Sequence, residues 1–219
     1  MSHPVVAVIA SWLIGSIPWA YLAGRLLKGV DLRTYGSGNL GATNVLRLLG
    51  APAAIGVYAL DAAKGMGPVL AFPVLFDFAP RGGWAIACGL AAILGHVRPV
   101  FLLLHGGGKG VATASGVFFA LTPLATLAAL AGFLLLLAAT RTMSIASLTG
   151  AAILPAAVAL THGVSSLVFG VSLGVAVFVY WTHRANIGRL RRGEEPRLDF
   201  RRRGKDGGQV DGLSPQGKA

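Results

Sequence analysis

The chain has 219 residues, 54% of them hydrophobic and only 12% charged, with a formal net charge of +11. Soluble domains carry about 25% charged residues, so this balance and a mean hydropathy of +0.69 exclude an ordinary soluble domain and require lipid around the chain. No soluble basic segment exists to bind nucleic acid, and the lone Cys88 excludes disulfides and cysteine-based metal sites.

In chain order, nearly charge-free apolar stretches run over residues 4–27, 52–76, 82–104, 111–139 and 143–181. Each is long enough to cross a hydrocarbon core of ~30 Å. The first lacks a basic leading region and outruns the ~7–15 apolar residues of a signal peptide, so it is expected to remain as a span. The fourth is long for one crossing, and Thr122-Pro123 interrupts it. The fifth is interrupted at Thr161-His162-Gly163. Splitting both predicts an all-α polytopic membrane protein with seven transmembrane helices, N-terminus outside and C-terminus cytoplasmic. Five spans joined by unrelated loops are the alternative.

Charge placement agrees with seven. Arg25, Lys28, Arg33, Arg47, Arg98, Lys109 and Arg141 lie at or near three breaks, and Arg81 alone lies in the different loop DFAPRGG. Positive loops stay in the cytoplasm, which puts all three basic breaks on one face. Residues 1–192 are read as one membrane domain and 193–219 as a basic, disordered cytoplasmic tail attracted to anionic lipid. Trp12, Trp19, Trp84 and Trp181 serve either as interface anchors or as packing. No internal repeat supports a transporter built from inverted halves.

The breaks carry the chemistry. In the first, Gly36-Ser37-Gly38-Asn39-Leu40-Gly41-Ala42-Thr43-Asn44 precedes Arg47. Its glycines free the backbone to form an anion nest. Ser37, Asn39, Thr43 and Asn44 add neutral hydrogen-bonding groups, and Arg47 a two-pronged phosphate donor. In the second, Gly106-Gly107-Gly108-Lys109-Gly110 lacks the Ser or Thr that a nucleotide P-loop needs directly after its lysine. Lys109 still stands at the head of a helix, where a phosphate meets the positive dipole end; the competing reading is a snorkelling interface lysine. His96 is read as a helix-end structural group. Asp61 and Lys64, one turn apart within a span, are read as a self-neutralising ion pair that orients the site. Ser144 and Ser147 share a helix face after Arg141, and His183 and Asn186 share one after Trp181.

Absences narrow the chemistry. The eight carboxylates form no metal-ligand cluster, which disfavours a divalent-metal phosphotransferase. No His is followed five residues later by an acid, and no Ser stands in a GxSxG elbow.

GSIPWAYLAG, GSGNLGATNVLR, LDAAKGMGPV, GHVRPVF…GGKGVAT, RTMSIAS and HRANIGRL occur in this order, and in that order the chain resembles the bacterial acylphosphate-dependent glycerol-3-phosphate acyltransferases from Ile14 to about Arg192. The resemblance implies a multi-pass enzyme of the bacterial inner (cytoplasmic) membrane with its active site on the cytoplasmic side. It implies transfer of a long-chain acyl group from acyl phosphate to the 1-hydroxyl of sn-glycerol 3-phosphate, giving lysophosphatidate and phosphate, with no cofactor and no metal. By motif, Lys109, Ser37, Arg47 and His183 are the catalytic candidates. Gly38, Asn39, Thr43, Asn44, Gly106, Gly107, Gly108, Gly110, Ser144, Ser147 and Asn186 are the candidates for binding substrate. The chain departs from the family pattern in having three glycines rather than two before the lysine, preceded by Leu104-His105. A non-enzymatic organophosphate carrier and a structural membrane protein are the rival classes. Anion clusters on a single face argue against the first, and the lysine–glycine cluster against the second.

Overall fold

The computed structural model describes residues 3–79 and 82–198. Arg81, expected in an outward loop, and the tail beyond Leu198 lie outside the described residues. Among the described residues the protein is all-helical, without strands.

Helix α1 (Pro4–Gly15) begins with Pro at its first position, where the missing N–H costs nothing. After Ser16-Ile17-Pro18 the chain re-enters helix as α2 (Trp19–Lys28), which stops at Gly29 in a left-handed conformation (φ 67°). A 3-10 turn (Leu32–Thr34) and an extended loop lead to α3 (Ala42–Leu49), and Gly50 turns the chain into α4 (Ala51–Leu75). The next helix, α5 (Gly83–Val97), is followed by a second 3-10 turn (Val100–Leu102). The expected interruption at Thr122-Pro123 separates α6 (Val111–Leu121) from α7 (Pro123–Thr140). The one at Gly163 separates α8 (Met143–His162) from α9 (Leu167–Thr182), and α10 (Arg184–Arg191) leaves α9 at a bend of 59°.

Four segments are long and apolar enough to cross a membrane: residues 4–28 as one broken helix, 83–102, α7 and α8; α9 with α10 makes a fifth. Helix α4 has the length, 25 residues, but carries the Asp61–Lys64 pair in its interior. That pair is closed, with Lys64 Nζ 2.8 Å from Asp61 Oδ1 and donating at 2.7 Å to the Ile17 carbonyl, which the break between α1 and α2 leaves free of a helical partner. The expected structural pair therefore also joins α4 to that break.

Packing follows small residues. Helices α4 and α6 cross where Gly65 lies against the Thr113 carbonyl and Gly116 against the Ala62 carbonyl; a Cβ on either glycine would overlap backbone. Such close approach is how helices associate without a hydrophobic driving force. The main core lies among α4–α9, with Phe118, Val117, Leu121 and Val158 essentially inaccessible. A smaller core under the first loop is built on Leu32 and Val45, both fully buried, with Ala20, Leu40 and Val57. At ~1.5–3 kcal/mol for each fully buried aliphatic side chain, these residues pin the Gly/Ser/Asn loop to the bundle. Leu26, Val74, Leu135, Leu160 and Val177 remain outward-facing, as lipid contact requires.

Candidate active site

The loop ends of α3, α6, α8 and α9–α10 surround one cavity of ≈ 830 Å³. Ser37, Asn39, Thr43, Arg47, Lys109, Ser144, Ser147, His183 and Asn186 all line it. Four separate segments of sequence thus converge on one space, and the N-termini of α3 and α6 open onto it through Ala42, Thr43, Val111 and Ala112. Anions are favoured at such ends, where unpaired N–H groups and the positive dipole end coincide.

Lys109 is the most constrained cation there. Its Nζ donates to Asn186 Oδ1, and its carbonyl accepts from Thr182 Oγ1 at 3.1 Å. Burial pulls its pKa down to about 8; Glu195 pushes it up, while Arg189 and Arg47 push it further down. Arg47 projects from α3, exposed and without an ion pair among the described residues. Arg25 and Arg33 are tied to Asp31 at 3.2 and 2.7 Å, so they are not open cations. The hydrogen bond from Arg33 is the main reason the Asp31 carboxyl lies down at about 2.

His183 is 3% exposed, at the junction of α9 and α10. Its Nδ1 is 2.8 Å from the Val179 carbonyl. A carbonyl only accepts, so Nδ1 bears the proton and Nε2 is the acceptor. Burial, then the charge of Lys109, holds its pKa down to about 4, so at neutral pH it is an uncharged imidazole. Ser144 Oγ is buried and makes no hydrogen bond of regular geometry among the described residues; it stands close enough to the Glu195 carboxylate to help hold that group ionised. Ser147 Oγ donates to the Met143 carbonyl at 2.9 Å, leaving its lone pairs toward the cavity.

Six of the proposed substrate-binding residues do not line the cavity. Asn44 is 1% exposed. It accepts from the Ser37 N–H at 3.3 Å and donates to the Leu32 and Tyr35 carbonyls at 3.2 and 2.9 Å. Its side chain therefore braces the first loop from behind. Gly38, with φ 68°, closes a turn onto Tyr35. Gly106 lies on the Arg33 stem, Gly107 on the Val97 carbonyl and Gly108 on the His96 ring, while Gly110 is the left-handed residue (φ 85°) that starts α6. Gly107 and Gly108 thus pack against α5. Upstream of them Leu103 and Leu104 are both left-handed (φ 53° and 63°), in an exposed apolar turn.

Among the polar residues that line the cavity, sequence reasoning did not single out Tyr58, Arg189 and Glu195, and it gave Asp61 and His96, which also line it, structural roles alone. For Glu195 the available signal was the acidic pair inside RRGEEPR, set directly after the basic end of a helix. The tail was expected to be disordered from Gly193. Instead the Glu194 N–H donates to the Arg189 carbonyl at 2.8 Å and the Leu198 N–H to the Arg141 carbonyl at 2.7 Å, laying 194–198 across the site. A second cavity of ≈ 350 Å³, almost wholly apolar, lies between α4, α6, α7, α8 and α9 and shares Tyr58, Val111, Leu130, Phe133 and Ser147 with the first.

A helical membrane protein with cations and hydroxyls gathered at loop ends, next to an apolar chamber, has the makeup of an enzyme that joins an anionic headgroup to a hydrocarbon chain. Residues 5–193 match the family model described as glycerol-3-phosphate acyltransferase. The chain belongs to that family and is a multi-pass membrane acyltransferase of phospholipid synthesis. It is 45% identical over 194 residues to the glycerol-3-phosphate acyltransferase of Anaeromyxobacter dehalogenans (strain 2CP-C), covering 88% of this chain and 96% of the relative. It is 46% identical over 195 residues to that of Geotalea daltonii, covering 89% and 97%. Its fold is similar to the crystal structure of PlsY (YgiH), an integral membrane glycerol 3-phosphate acyltransferase, in the glycerol 3-phosphate form. That likeness has TM-score 0.82 and 37% identity and covers 90% of this chain and 96% of the other. The lysophosphatidic acid form is similar at TM-score 0.80 and 36% identity, covering 90% and 95%.

Proposed function

We propose that the chain transfers a long-chain acyl group from acyl phosphate to the 1-hydroxyl of sn-glycerol 3-phosphate, giving lysophosphatidate and inorganic phosphate. It does so at the cytoplasmic face of a seven-span protein of the bacterial inner membrane. The observation that carries this reading is a pair of cavities that share Tyr58, Val111, Leu130, Phe133 and Ser147 in their walls: one bears Lys109, Arg47, Ser144 and His183, and the other is almost wholly apolar, the right chemistry for an acyl chain. The solved relatives in glycerol 3-phosphate and lysophosphatidic acid forms support the same acceptor and product.

An acyl phosphate arrives already activated, and its phosphate departs as a stable anion. The task is to hold two anionic groups close together and to stabilise the oxyanion formed between them. Lys109, Arg47 and the ends of α3 and α6 supply fixed positive charge and donors for that purpose. The acceptor hydroxyl attacks the acyl carbonyl, the carbon–oxygen bond to phosphate breaks, and the hydroxyl proton passes to a phosphate oxygen, whose second pKa near ~6 makes it competent. His183 Nε2 accepts a hydrogen bond and orients the hydroxyl. Holding both reactants at attack distance supplies much of the remaining acceleration.

The test is purified protein in detergent supplied with palmitoyl phosphate and glycerol 3-phosphate, with release of phosphate and lysophosphatidate measured. Turnover is expected with acyl phosphate, in the presence of EDTA. Product formed only from acyl-CoA or acyl-carrier protein, or activity lost to chelator and restored by Mg²⁺, overturns the donor and the metal-free chemistry.

A further inference from the structure

The site holds a carboxylate that an anion-binding centre does not need for binding. Glu195 is 6% exposed at its side chain. Its Oε1 accepts from Asn186 Nδ2 at 2.6 Å and its Oε2 from Arg189 Nε at 2.7 Å. Asn186 in turn presents Oδ1 to Lys109 Nζ. The amide orientation follows from chemistry: a carboxylate only accepts, so the NH₂ must face Glu195 and the oxygen must face the ammonium. The ammonium, which only donates, and the carboxylate, which only accepts, hold the amide in this orientation from its two sides.

We propose that Glu195, reaching back from the start of the tail, is the positioning residue for Lys109, fixing the Asn186 amide so that its oxygen anchors the ammonium in the site. The proposal deepens the acyltransferase reading and rests on it for the catalytic consequence. Three further observations support it. The backbone bonds of Glu194 and Leu198 dock the tail independently of the Glu195 side chain, so the carboxylate is delivered to its place. The cavity of ≈ 830 Å³ stays open beside the carboxylate, so Glu195 does not fill the space a substrate needs. Burial raises the Glu195 carboxyl, but the bonds from Asn186, Arg189 and Ser144 together outweigh it and hold the group ionised below its usual range.

The groups facing Lys109 are Glu195, Arg189, Arg47 and the neutral His183. Removing the one negative charge leaves two cations, so the ammonium gives up its proton more readily. The arrangement is a support contact behind a working residue; the corresponding contacts behind metal ligands cost roughly 10–100-fold when removed, which sets the scale expected here.

The experiment compares full-length wild type with Glu195→Gln, Glu195→Ala and Glu195→Asp. The pH dependence of Lys109 acetylation by acetic anhydride is read by mass spectrometry, which needs no turnover. Kcat and KM with palmitoyl phosphate and glycerol 3-phosphate are read in parallel. In Glu195→Gln the labelling midpoint of Lys109 should fall by about one unit, and kcat should fall ~10–100-fold with a smaller change in KM. Glu195→Asp keeps the charge and should recover most of the midpoint. A tail that merely packs would leave the midpoint unmoved. An unchanged Lys109 midpoint in both Glu195→Gln and Glu195→Ala overturns the proposal, and so does a rise in kcat, which would mark Glu195 as a competitor of substrate phosphate. If wild type fails to use acyl phosphate, the donor reading falls while the labelling arm still decides the role of Glu195.

Discussion

The Gly108 α-carbon rests directly on the ring of His96, so that a Cβ at position 108 would overlap the imidazole. The same His96 places Nδ1 3.5 Å from Asp61 Oδ1, accepts the Gly108 N–H on its carbonyl at 3.1 Å and is 6% exposed. The lysine loop is therefore seated on α5 and, through Asp61, on α4.

Gly108→Ala should lift that loop. An overpacked buried contact costs ~1–3 kcal/mol, and displacing the following Lys109 should lower kcat/KM by ~100-fold, because misplacing a catalytic group by about 1 Å has that effect. Adding His96→Ala removes the overlap, so the double variant should recover thermal stability relative to the sum of the two single changes. Melting temperature in detergent and steady-state rates check both parts. A Gly108→Ala protein with wild-type rate and melting temperature would show that the seat is irrelevant.

Lys109→Ala should lose at least ~100-fold in turnover while the protein still inserts. In wild type the ammonium loses its proton as pH rises through about 8, the value to which burial lowers it. Because the lowered pKa belongs to the charged, working form, kcat/KM should fall on the alkaline side of about 8 and stay level below it for this group. A pH–rate profile to pH 10 checks it. A flat profile together with an active alanine variant would make Lys109 an interface anchor only.

Arg47→Lys should also be poorly tolerated, with kcat/KM down ~10-fold or more, since a single ammonium cannot reproduce a two-pronged phosphate contact. The KM for glycerol 3-phosphate and for palmitoyl phosphate, measured separately, will show which phosphate Arg47 serves. Equal KM values and kcat in wild type and Arg47→Lys would remove Arg47 from the site.

His183→Gln should reduce the rate by ~10–100-fold and leave the shape of the acidic limb intact. With its pKa pulled down to about 4, the imidazole is already neutral across the working range, and any limb near ~6 belongs to substrate phosphate. A limb near ~6.5 present in wild type and absent from a folded His183→Gln protein, with the rate down by ~10⁴, would make His183 the general base.

Topology is open to direct labelling. Cysteines placed at the exposed positions Thr34 and His105 should resist an impermeant maleimide in intact cells, and those at the exposed Asp77 and Ser165 should react. Buried Cys88 contributes no background. Outside labelling at Thr34 or His105 would invert or break the seven-span arrangement.

The sequence by itself determined what depends on local pattern. Apolar runs set the helices, and Thr122-Pro123 and Gly163 set their interruptions, because proline removes a backbone donor and a residue with φ 80° leaves the helix. Basic, glycine-rich breaks marked Lys109, Arg47, Ser144, His183 and Asn186, since cations and donors at membrane edges are costly to place without purpose. Only the tertiary structure decided which of these groups meet. Lys109 and Asn186 are 77 positions apart, and no spacing rule reaches that far. Asn44 has the composition of a ligand, yet both its amide atoms are committed to the backbone behind the loop. The glycines before Lys109 read as a nest, and only the structure shows that Gly107 and Gly108 also sit against Val97 and His96 of α5. Glu195 lay in a segment whose charge pattern reads as solvated tail. Its burial depends on partners supplied by α10 and by the turn at Arg141, and an isolated charge is stable inside a site only when folding brings those partners to it.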